Sequence, residues 1–278
     1  MDKVMLITGA NSGIGKAASV ELAKSGAHVV MVCRDIQKGE IARREVIAAS
    51  GNSLVDLMTC DLGSLASVRE FVQAFKSRYS RLDVLINNAG IYVENRMETV
   101  DGFEYQIGVN HLGPFLLTNL LVDLLKQSAP SRIINVSSGA HIGGTIRFED
   151  IHSRKKYSPW IAYAQSKLAN VLFTYELSHR LAGTGVTANC LHPGFVRTQF
   201  AVDRKTNRPN PMMTAMKWLS IPPEKGAETT VFLASSPDVQ GTTGKYFVRK
   251  KAKASSRASY DLNAAQRLWE LSEELVKE

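Results

Sequence analysis

The chain has 278 residues, of which 44% are hydrophobic and 22% are charged. These fractions lie close to globular averages and exclude a disordered, collagen-like or coiled-coil chain, and a chain of this length needs no disulfides or metal to fold. The 34 basic and 26 acidic side chains give a formal net charge of +8, which suits a polyanion or a phosphorylated cofactor equally well.

Targeting and membrane signals are weak in this sequence. The cysteines Cys33, Cys60 and Cys190 are too scattered for a disulfide framework or a zinc site, which fits a reducing compartment. The longest apolar stretch, residues 113–125, carries polar interruptions and is shorter than the roughly 18–20 apolar residues of a membrane span. The first residues enter a strand pattern before a signal-peptide core could form. We therefore expect a soluble, cytoplasmic protein without a transmembrane anchor.

Short β-branched runs alternate with longer helical patterns along the chain. The predicted strands are Lys3–Thr8, Ala27–Cys33, Leu54–Cys60, Leu82–Ile86, Arg132–Ser137, Val186–Leu191 and Lys245–Val248. The predicted helices are Ile14–Ser25, Gln37–Ser50, Ser64–Tyr79, Gly102–Gln127, Trp160–Ala182, Glu224–Ser235 and Leu262–Val276. Most strands are continuous apolar runs, as in sheets covered on both faces. The alternation predicts an α/β fold, with a doubly wound parallel sheet of about seven strands and helices on both faces, as one domain over residues 1–278.

Two segments interrupt this alternation. Residues 139–159 separate the fifth strand from the next helix by about twenty residues, a length typical of a functional loop. Residues 199–223 carry four prolines around an apolar cluster that includes Met213, Met216 and Trp218. Because this segment follows the carboxyl end of a strand, where open α/β sheets bind ligands, we expect a substrate lid there rather than a small packed helix.

A basic stretch lies between the last strand and the last helix. Five of the nine residues in 249–257 are Lys or Arg. Without interleaved aromatic residues or a nucleic-acid motif, this pattern favours a solvated loop over a nucleic-acid-binding or membrane-binding patch. We therefore predict no nucleic-acid partner.

A glycine-rich turn closes the first strand and opens the first helix. The turn reads Thr8-Gly9-Ala10-Asn11-Ser12-Gly13-Ile14-Gly15. Glycine permits the tight turn and lets backbone amides and the helix N-terminus approach a pyrophosphate. We predict that Gly9, Asn11, Ser12, Gly13, Ile14 and Gly15 contact a dinucleotide.

Tyr163 and Lys167 stand four residues apart on a strongly periodic helix, hence on one face. An ammonium 4–6 Å from a phenolate contributes roughly 3–4 kcal/mol at an effective dielectric of 20, so we expect Lys167 to lower the pKa of Tyr163 towards the range of a general acid/base. A second Tyr-x-x-x-Lys, Tyr246 with Lys250, begins in a predicted strand, where four residues span about 13 Å. The position on a helix therefore favours Tyr163 over Tyr246 as the general acid/base.

Taken together, the motifs resemble the short-chain dehydrogenase/reductase family, and most closely its retinol-dehydrogenase branch. The family pattern is matched by the Thr8–Gly15 turn, Asp61-Leu62, Asn87-Asn88-Ala89-Gly90, Asn110, Ser137-Ser138, Tyr163-x-x-x-Lys167 and His192-Pro193-Gly194-x-Val196-x-Thr198. The branch is suggested by Cys33-Arg34-Asp35, the long gap between Ser138 and Tyr163, and the Ser166–Asn170 run. This resemblance covers the whole chain and implies a Rossmann fold.

The resemblance also implies roles for four catalytic residues. Ser138, rather than Ser137, would hydrogen-bond the substrate carbonyl, and Tyr163 would exchange the hydroxyl proton. Lys167 would hold the nicotinamide ribose and act on the phenol. Asn110 would fix a water molecule that links Lys167 to solvent.

Further residues are implied to bind the cofactor. These are Asp61 and Leu62 beside the adenine, Asn88, Ala89 and Gly90 beside the ribose, and Pro193, Gly194, Val196 and Thr198 beside the nicotinamide amide. At the end of the second strand, Arg34 suits a 2′-phosphate, whereas a carboxylate such as Asp35 would suit a 2′-hydroxyl. We therefore favour NADP(H) over NAD(H).

These inferences predict an NADP(H)-dependent oxidoreductase that acts on apolar alcohols or carbonyls. The alternatives are an NAD-dependent alcohol dehydrogenase of the same family and a non-catalytic NADP-sensing protein. The six histidines show no metal-binding pattern, and packing is favoured over cavity lining for His111 and His141. Membrane-bound relatives carry an apolar N-terminal anchor that does not precede the first strand here, so a retinoid substrate does not follow from the resemblance. The sequence is compatible with a monomer and with a homo-oligomer.

Overall fold

The computed structural model describes residues 3–196 and 220–277. Its strands are β1 (Val4–Thr8), β2 (His28–Cys33), β3 (Val55–Thr59), β4 (Val84–Asn87), β5 (Ser131–Val136), β6 (Val186–His192), β7 (Tyr246–Val248) and β8 (Lys251–Lys253). Its longer helices are α1 (Gly13–Lys24), α2 (Ile36–Ser50), α3 (Leu65–Arg78), α4 (Tyr105–Gln127), α5 (Pro159–Arg180), α6 (Pro223–Ser235) and α7 (Leu262–Leu275). Predicted and observed boundaries differ by only a few residues.

The strands form one sheet in the order β3-β2-β1-β4-β5-β6-β7-β8. All neighbouring strands from β3 to β7 are parallel, and β8 pairs with β7 antiparallel. The doubly wound prediction is therefore confirmed. The strand order reverses direction between β1 and β4, and the crevice outside such a reversal is where open α/β sheets bind ligands.

Alternating side chains of the strands build an apolar core on each face of the sheet. On one face, Leu6 and Leu85 pack against α3 and α4 in a cluster that includes Phe75 and Phe115. On the other, Ile7 joins a cluster with residues from α1, α2 and α6. Because both faces are covered, the strands read as continuous apolar runs in the sequence.

The prediction that residues 249–257 form a solvated loop is wrong in part, because Lys251–Lys253 form strand β8. Lys251 to Lys253 are exposed, and exposed lysines are typical of edge strands. The connecting hairpin places Arg249 and Lys250 at positive φ, 51° and 62°, without the Asn or Gly that usually marks such a turn. The sequence of this turn therefore gives no local indication of a hairpin.

Helix α4 contains a π-helical turn at Gly108–Leu112, which includes Asn110. By length and mean hydropathy, 1.2, α4 is long and apolar enough to cross a membrane. In this fold 78% of its most apolar window is buried. Within the described part of the chain, α4 is thus an internal helix of the core.

The C-terminal helix is present as predicted, with Ala265 and Leu268 packed against α5. Residues 139–159 contain two short 3₁₀ turns, Gly139–Gly143 and Phe148–Asp150. Thr198 and residues 199–219 of the predicted lid lie outside the described residues. The lid therefore stays a prediction.

Candidate active site

The glycine turn lies at the carboxyl end of β1 and leads into α1. Gly9 has φ +66° and Gly13 φ +53°, a region that side chains other than glycine rarely adopt. A Cβ atom at Gly15 would lie 2.3 Å from the Gly9 carbonyl oxygen, so only glycine fits there. The Ser12 side chain makes no capping hydrogen bond to the first amides of α1. The turn thus leaves a helix N-terminus with the geometry that binds phosphate groups.

Thr8 and Asn88 join this turn to the end of β4. The amides of Asn88 and Ala89 each donate to Thr8 Oγ1 at 3.0 Å, and the Asn88 side chain donates to the Thr8 carbonyl at 2.9 Å. Thr8 was not among the predicted binding residues, although it belongs to the motif. Its hydroxyl holds the predicted ribose-side residues against the predicted pyrophosphate turn.

Arg34 and Asp35, at the end of β2, have different hydrogen-bond partners. Asp35 caps α2 by accepting from the Lys38 amide at 3.0 Å, and its pKa is lowered mainly by this hydrogen bond. The exposed Arg34 guanidinium instead reaches across the crevice and donates to Tyr105 Oη at 2.9 Å. Tyr105 also lies close to Gly63, in the turn where Asp61 Oδ1 accepts from the Gly63 amide at 2.9 Å. Leu62 is buried in the core beneath this turn.

The loop after β6 approaches the same helix N-terminus. Val196 pairs with Ile221, and a Cβ atom at Gly226 would touch both Val196 and Ile14. Gly194 has φ +94°, which permits the turn that follows Pro193. The structure thus brings the described part of the predicted nicotinamide loop next to the predicted pyrophosphate turn.

Ser138 and Tyr163 meet at the carboxyl end of β5. Ser138 is half-buried, and its side chain is hydrogen-bonded to the Tyr163 phenol. Ser137 points elsewhere: it is buried and donates to the Lys167 carbonyl at 2.8 Å. The placement therefore agrees with the choice of Ser138 as the residue that faces substrate.

Lys167 and Asn110 lie behind the tyrosine. The Lys167 ammonium is 5.7 Å from the centre of the Tyr163 ring and donates to the Val136 carbonyl at 3.2 Å. A Cβ atom at Gly90 would be 3.1 Å from Lys167 Nζ, so glycine keeps the space beside the ammonium open. Asn110 Nδ2 donates to the Ile91 carbonyl and to Ser166 Oγ, while Oδ1 accepts from the Ile91 amide at 2.7 Å. The π turn of α4 thus places an amide side chain between the β4 loop and α5.

The predicted effect of Lys167 on the phenol is wrong for this structure. The pKa of Tyr163 is raised above its ordinary value because burial disfavours the phenolate, and the hydrogen bond to Ser138 offsets only part of this. Burial also lowers the pKa of Lys167 to about 8. The attraction anticipated from the sequence is smaller than the desolvation of both groups, which spacing on a helix does not reveal.

The second Tyr-x-x-x-Lys pair is separated in space, as its strand position predicted. Tyr246 is buried with its ring 4.8 Å from that of His141, whereas Lys250 pairs with Glu228 at 3.1 Å. His141 and His111 are both fully buried and do not face an open cavity. Over residues 3–196 and 220–277, no group of three His, Cys, Asp or Glu side chains is placed to hold a metal ion.

Apolar side chains surround the approach to Tyr163. The Tyr92 ring meets the Tyr163 ring edge-on at 5.7 Å, and the Trp160 ring lies 6.3 Å away. Ile142, on the turn after Ser138, is 71% exposed, and Trp160 is 56% exposed. An exposed aromatic ring such as Trp160 beside a polar pair is typical of a ligand site.

These features fit a bound nicotinamide dinucleotide. The turn would offer amides to the pyrophosphate, Arg34 would lie at the adenosine end, and Gly90 keeps space beside the Lys167 ammonium near Tyr163. The fold and this site define a dinucleotide-binding oxidoreductase of the doubly wound α/β class.

Comparison with known proteins places the chain within that class. The short chain dehydrogenase family model matches residues 3–209, and the chain belongs to this family. It is 47% identical to human retinol dehydrogenase 14 over 99% of this chain and 86% of that protein, and 47% identical to mouse retinol dehydrogenase 13 over 99% and 84%. A crystal structure of a Mycobacterium paratuberculosis protein without an assigned function is 39% identical, with a TM-score of 0.80, covering 99% of this chain and 93% of that one. The resemblance to the retinol-dehydrogenase branch is thereby confirmed.

Proposed function

We propose that this protein is an NADP(H)-dependent oxidoreductase that interconverts apolar alcohols and carbonyls, with Tyr163 as the general acid/base. The observation that carries the proposal is the hydrogen-bonded pair of Ser138 and Tyr163, backed by Lys167, at the carboxyl edge of the sheet. Membership of a family of alcohol/carbonyl oxidoreductases supports it.

The residues divide the chemistry between them. When bound, the nicotinamide supplies or accepts the hydride. In the reductive direction Tyr163 gives its phenolic proton to the substrate oxygen, and Ser138 donates a hydrogen bond to that oxygen. The neutral phenol favoured by burial is the form required of a general acid. Lys167 holds positive charge beside the phenolate that forms, and Asn110 fixes the β4 loop next to it.

The proposed preference for NADP(H) rests on the contrast between Arg34 and Asp35. Asp35 is engaged as the cap of α2 and in an ion pair with Lys38 at 3.6 Å. Arg34 is exposed and can exchange its hydrogen bond with Tyr105 for one to a phosphate. A guanidinium is well suited to phosphate because its donors match phosphate oxygens in pairs.

The proposed substrates are bulky, apolar aldehydes, ketones or alcohols. Tyr92 and Trp160 supply apolar surface beside Tyr163. Two similar relatives are named retinol dehydrogenases, which makes retinal and retinol the first compounds to test. The predicted lid over residues 199–223 would add to this surface.

Cofactor oxidation by the purified protein tests the proposal. NADPH and NADH are compared with retinal and with straight-chain aldehydes of increasing length. Each buried methylene adds up to about 0.8 kcal/mol. We therefore expect kcat/KM to rise by up to about fourfold for each methylene added to the aldehyde, until the cavity is filled. A flat series, or a best substrate that is a polyol, would contradict the apolar site. Faster turnover with NADH than with NADPH would favour the NAD-dependent alcohol dehydrogenase. Cofactor binding without turnover would favour the non-catalytic NADP-sensing protein.

A further inference from the structure

His141 lies directly behind the proposed catalytic serine. It occupies the 3₁₀ turn Gly139–Gly143 that follows Ser138 and has no exposed surface. Both ring nitrogens have partners: Nδ1 is 2.7 Å from the Ser138 carbonyl oxygen, and Nε2 is 3.0 Å from the Ser256 amide nitrogen. The two partners are separated by more than a hundred residues in the sequence.

The chemistry of these partners fixes the protonation of the ring. A backbone amide can only donate, so Nε2 must be the unprotonated acceptor for Ser256. A carbonyl can only accept, so Nδ1 must carry the proton and donate it to Ser138. His141 is therefore a neutral imidazole in the Nδ1–H tautomer, a state consistent with the lowering of its pKa by burial.

Ser256 is itself tied to the helix that carries Tyr163 and Lys167. The neighbouring Ser255 hydroxyl is 2.7 Å from the Tyr175 phenol oxygen on α5, and the Ser255 amide donates to the Tyr260 phenol at 3.1 Å. The rings of Tyr175 and Tyr260 stack at 5.5 Å. The segment 255–260 thus connects α5 with His141, and His141 connects it with Ser138.

We infer that His141 is a positioning residue that holds Ser138 at the correct distance from Tyr163, with the segment 255–260 as its support. The inference rests on the proposed roles of Ser138 and Tyr163. Ser138 stands at the end of β5 and Tyr163 on α5, so their hydroxyls stay aligned only if these two elements keep one relative position. His141 supplies a rigid bridge between them, next to the His192 ring, whose Nδ1 accepts from the Gly139 amide at 3.0 Å.

A matched pair of variants at Ser256 tests the bridge. The backbone φ of Ser256 is −65°, the value that proline requires, so Ser256→Pro deletes the amide donor without forcing a new φ. Ser256→Ala removes only the hydroxyl, whose oxygen has no hydrogen-bond partner in the described residues, and keeps the amide. We expect Ser256→Ala to behave as wild type. Ser256→Pro should lower kcat for decanal by about tenfold, within the effect of a small misplacement of reacting groups, with the Kd for NADPH unchanged.

A second pair at His141 keeps the test informative if the proline variant fails to fold. An asparagine amide nitrogen can take the place of Nδ1, whereas a glutamine amide reaches the position of Nε2. Each variant keeps one end of the bridge and loses the other, so we expect both His141→Asn and His141→Gln to lower kcat by about tenfold with an unchanged Kd for NADPH. A kcat near that of wild type in either variant, or parallel changes in kcat and in the Kd for NADPH, would overturn the inference.

Nitrogen NMR of the imidazole rings separates this inference from the proposed function. The spectrum identifies the tautomer of His141 in the unliganded protein. The signal of His141 is assigned by its absence from the spectrum of His141→Asn. The inference requires the Nδ1–H form in wild type and in Ser256→Ala. An Nε2–H signal in wild type would refute the inference whatever the turnover. Conversely, no turnover of aldehydes by wild type with either cofactor would contradict the proposed function even with the tautomer as expected.

Discussion

Replacing Lys167 with methionine should abolish turnover and yet stabilise the fold at neutral pH. The side chain is 3% exposed, and burial lowers its pKa from the ordinary 10.5 to about 8. At pH 7 the folded protein therefore carries an ammonium that the surroundings disfavour. The difference between the two pKa values corresponds to a cost of about 3 kcal/mol in the free energy of unfolding.

The pH dependence gives the sign of this effect. Below pH 8 the ammonium persists in both states and the full cost applies. Between pH 8 and 10.5 the unfolded chain binds more protons than the folded one, so the stability of the wild type rises with pH. At pH 9.5 the remaining cost is about 1 kcal/mol. Methionine removes the titration, so its stability relative to wild type should fall by about 2 kcal/mol from pH 7 to pH 9.5.

Urea denaturation of the cofactor-free protein at these two pH values measures the difference. Loss of the hydrogen bond to Val136 costs about 1 kcal/mol at both values, which leaves a net gain of about 2 kcal/mol at pH 7. The exposed Lys253, replaced by methionine, is the matched control and should not alter the pH dependence. A difference between Lys167→Met and wild type that is the same at both pH values would refute the reasoning.

Three further substitutions test the proposed site. Tyr163→Phe should reduce turnover to less than a tenth of wild type with cofactor binding almost intact, because only the proton donor is lost; Tyr246→Phe, the control, should turn over near the wild-type rate. Arg34→Ala should weaken NADPH binding about ten- to a hundredfold with little effect on NADH, as expected for loss of a charged hydrogen bond; similar losses for both cofactors would count against Arg34, and Arg44→Ala serves as control. Gly15→Ala should lower both thermal stability and cofactor affinity, since its Cβ would collide with the Gly9 carbonyl; Gly143→Ala, whose Cβ would enter open space, should leave stability unchanged.

The sequence was sufficient for the fold and for most of the candidate residues because both depend on local patterns. Continuous apolar runs indicated strands covered on both faces, and the interval between them left room for helices. The turn from Thr8 to Gly15 depends on glycine at fixed spacing, and Tyr163 and Lys167 share a face because a helix repeats every 3.6 residues. Parallel strands then bring these motifs to one edge of the sheet.

The tertiary structure decided what depends on distant parts of the chain. The contact between Arg34 and Tyr105, and that between His141 and Ser256, join residues 71 and 115 positions apart. Strand β8 exists because β7 offers it a hydrogen-bonding edge, not because its lysines favour a strand. The pKa of Lys167 and that of Tyr163 moved in the direction set by burial, whereas the spacing between the two residues had predicted the opposite for the phenol. Desolvation depends on every group that surrounds a side chain, and that environment is formed only when the helices pack on the sheet.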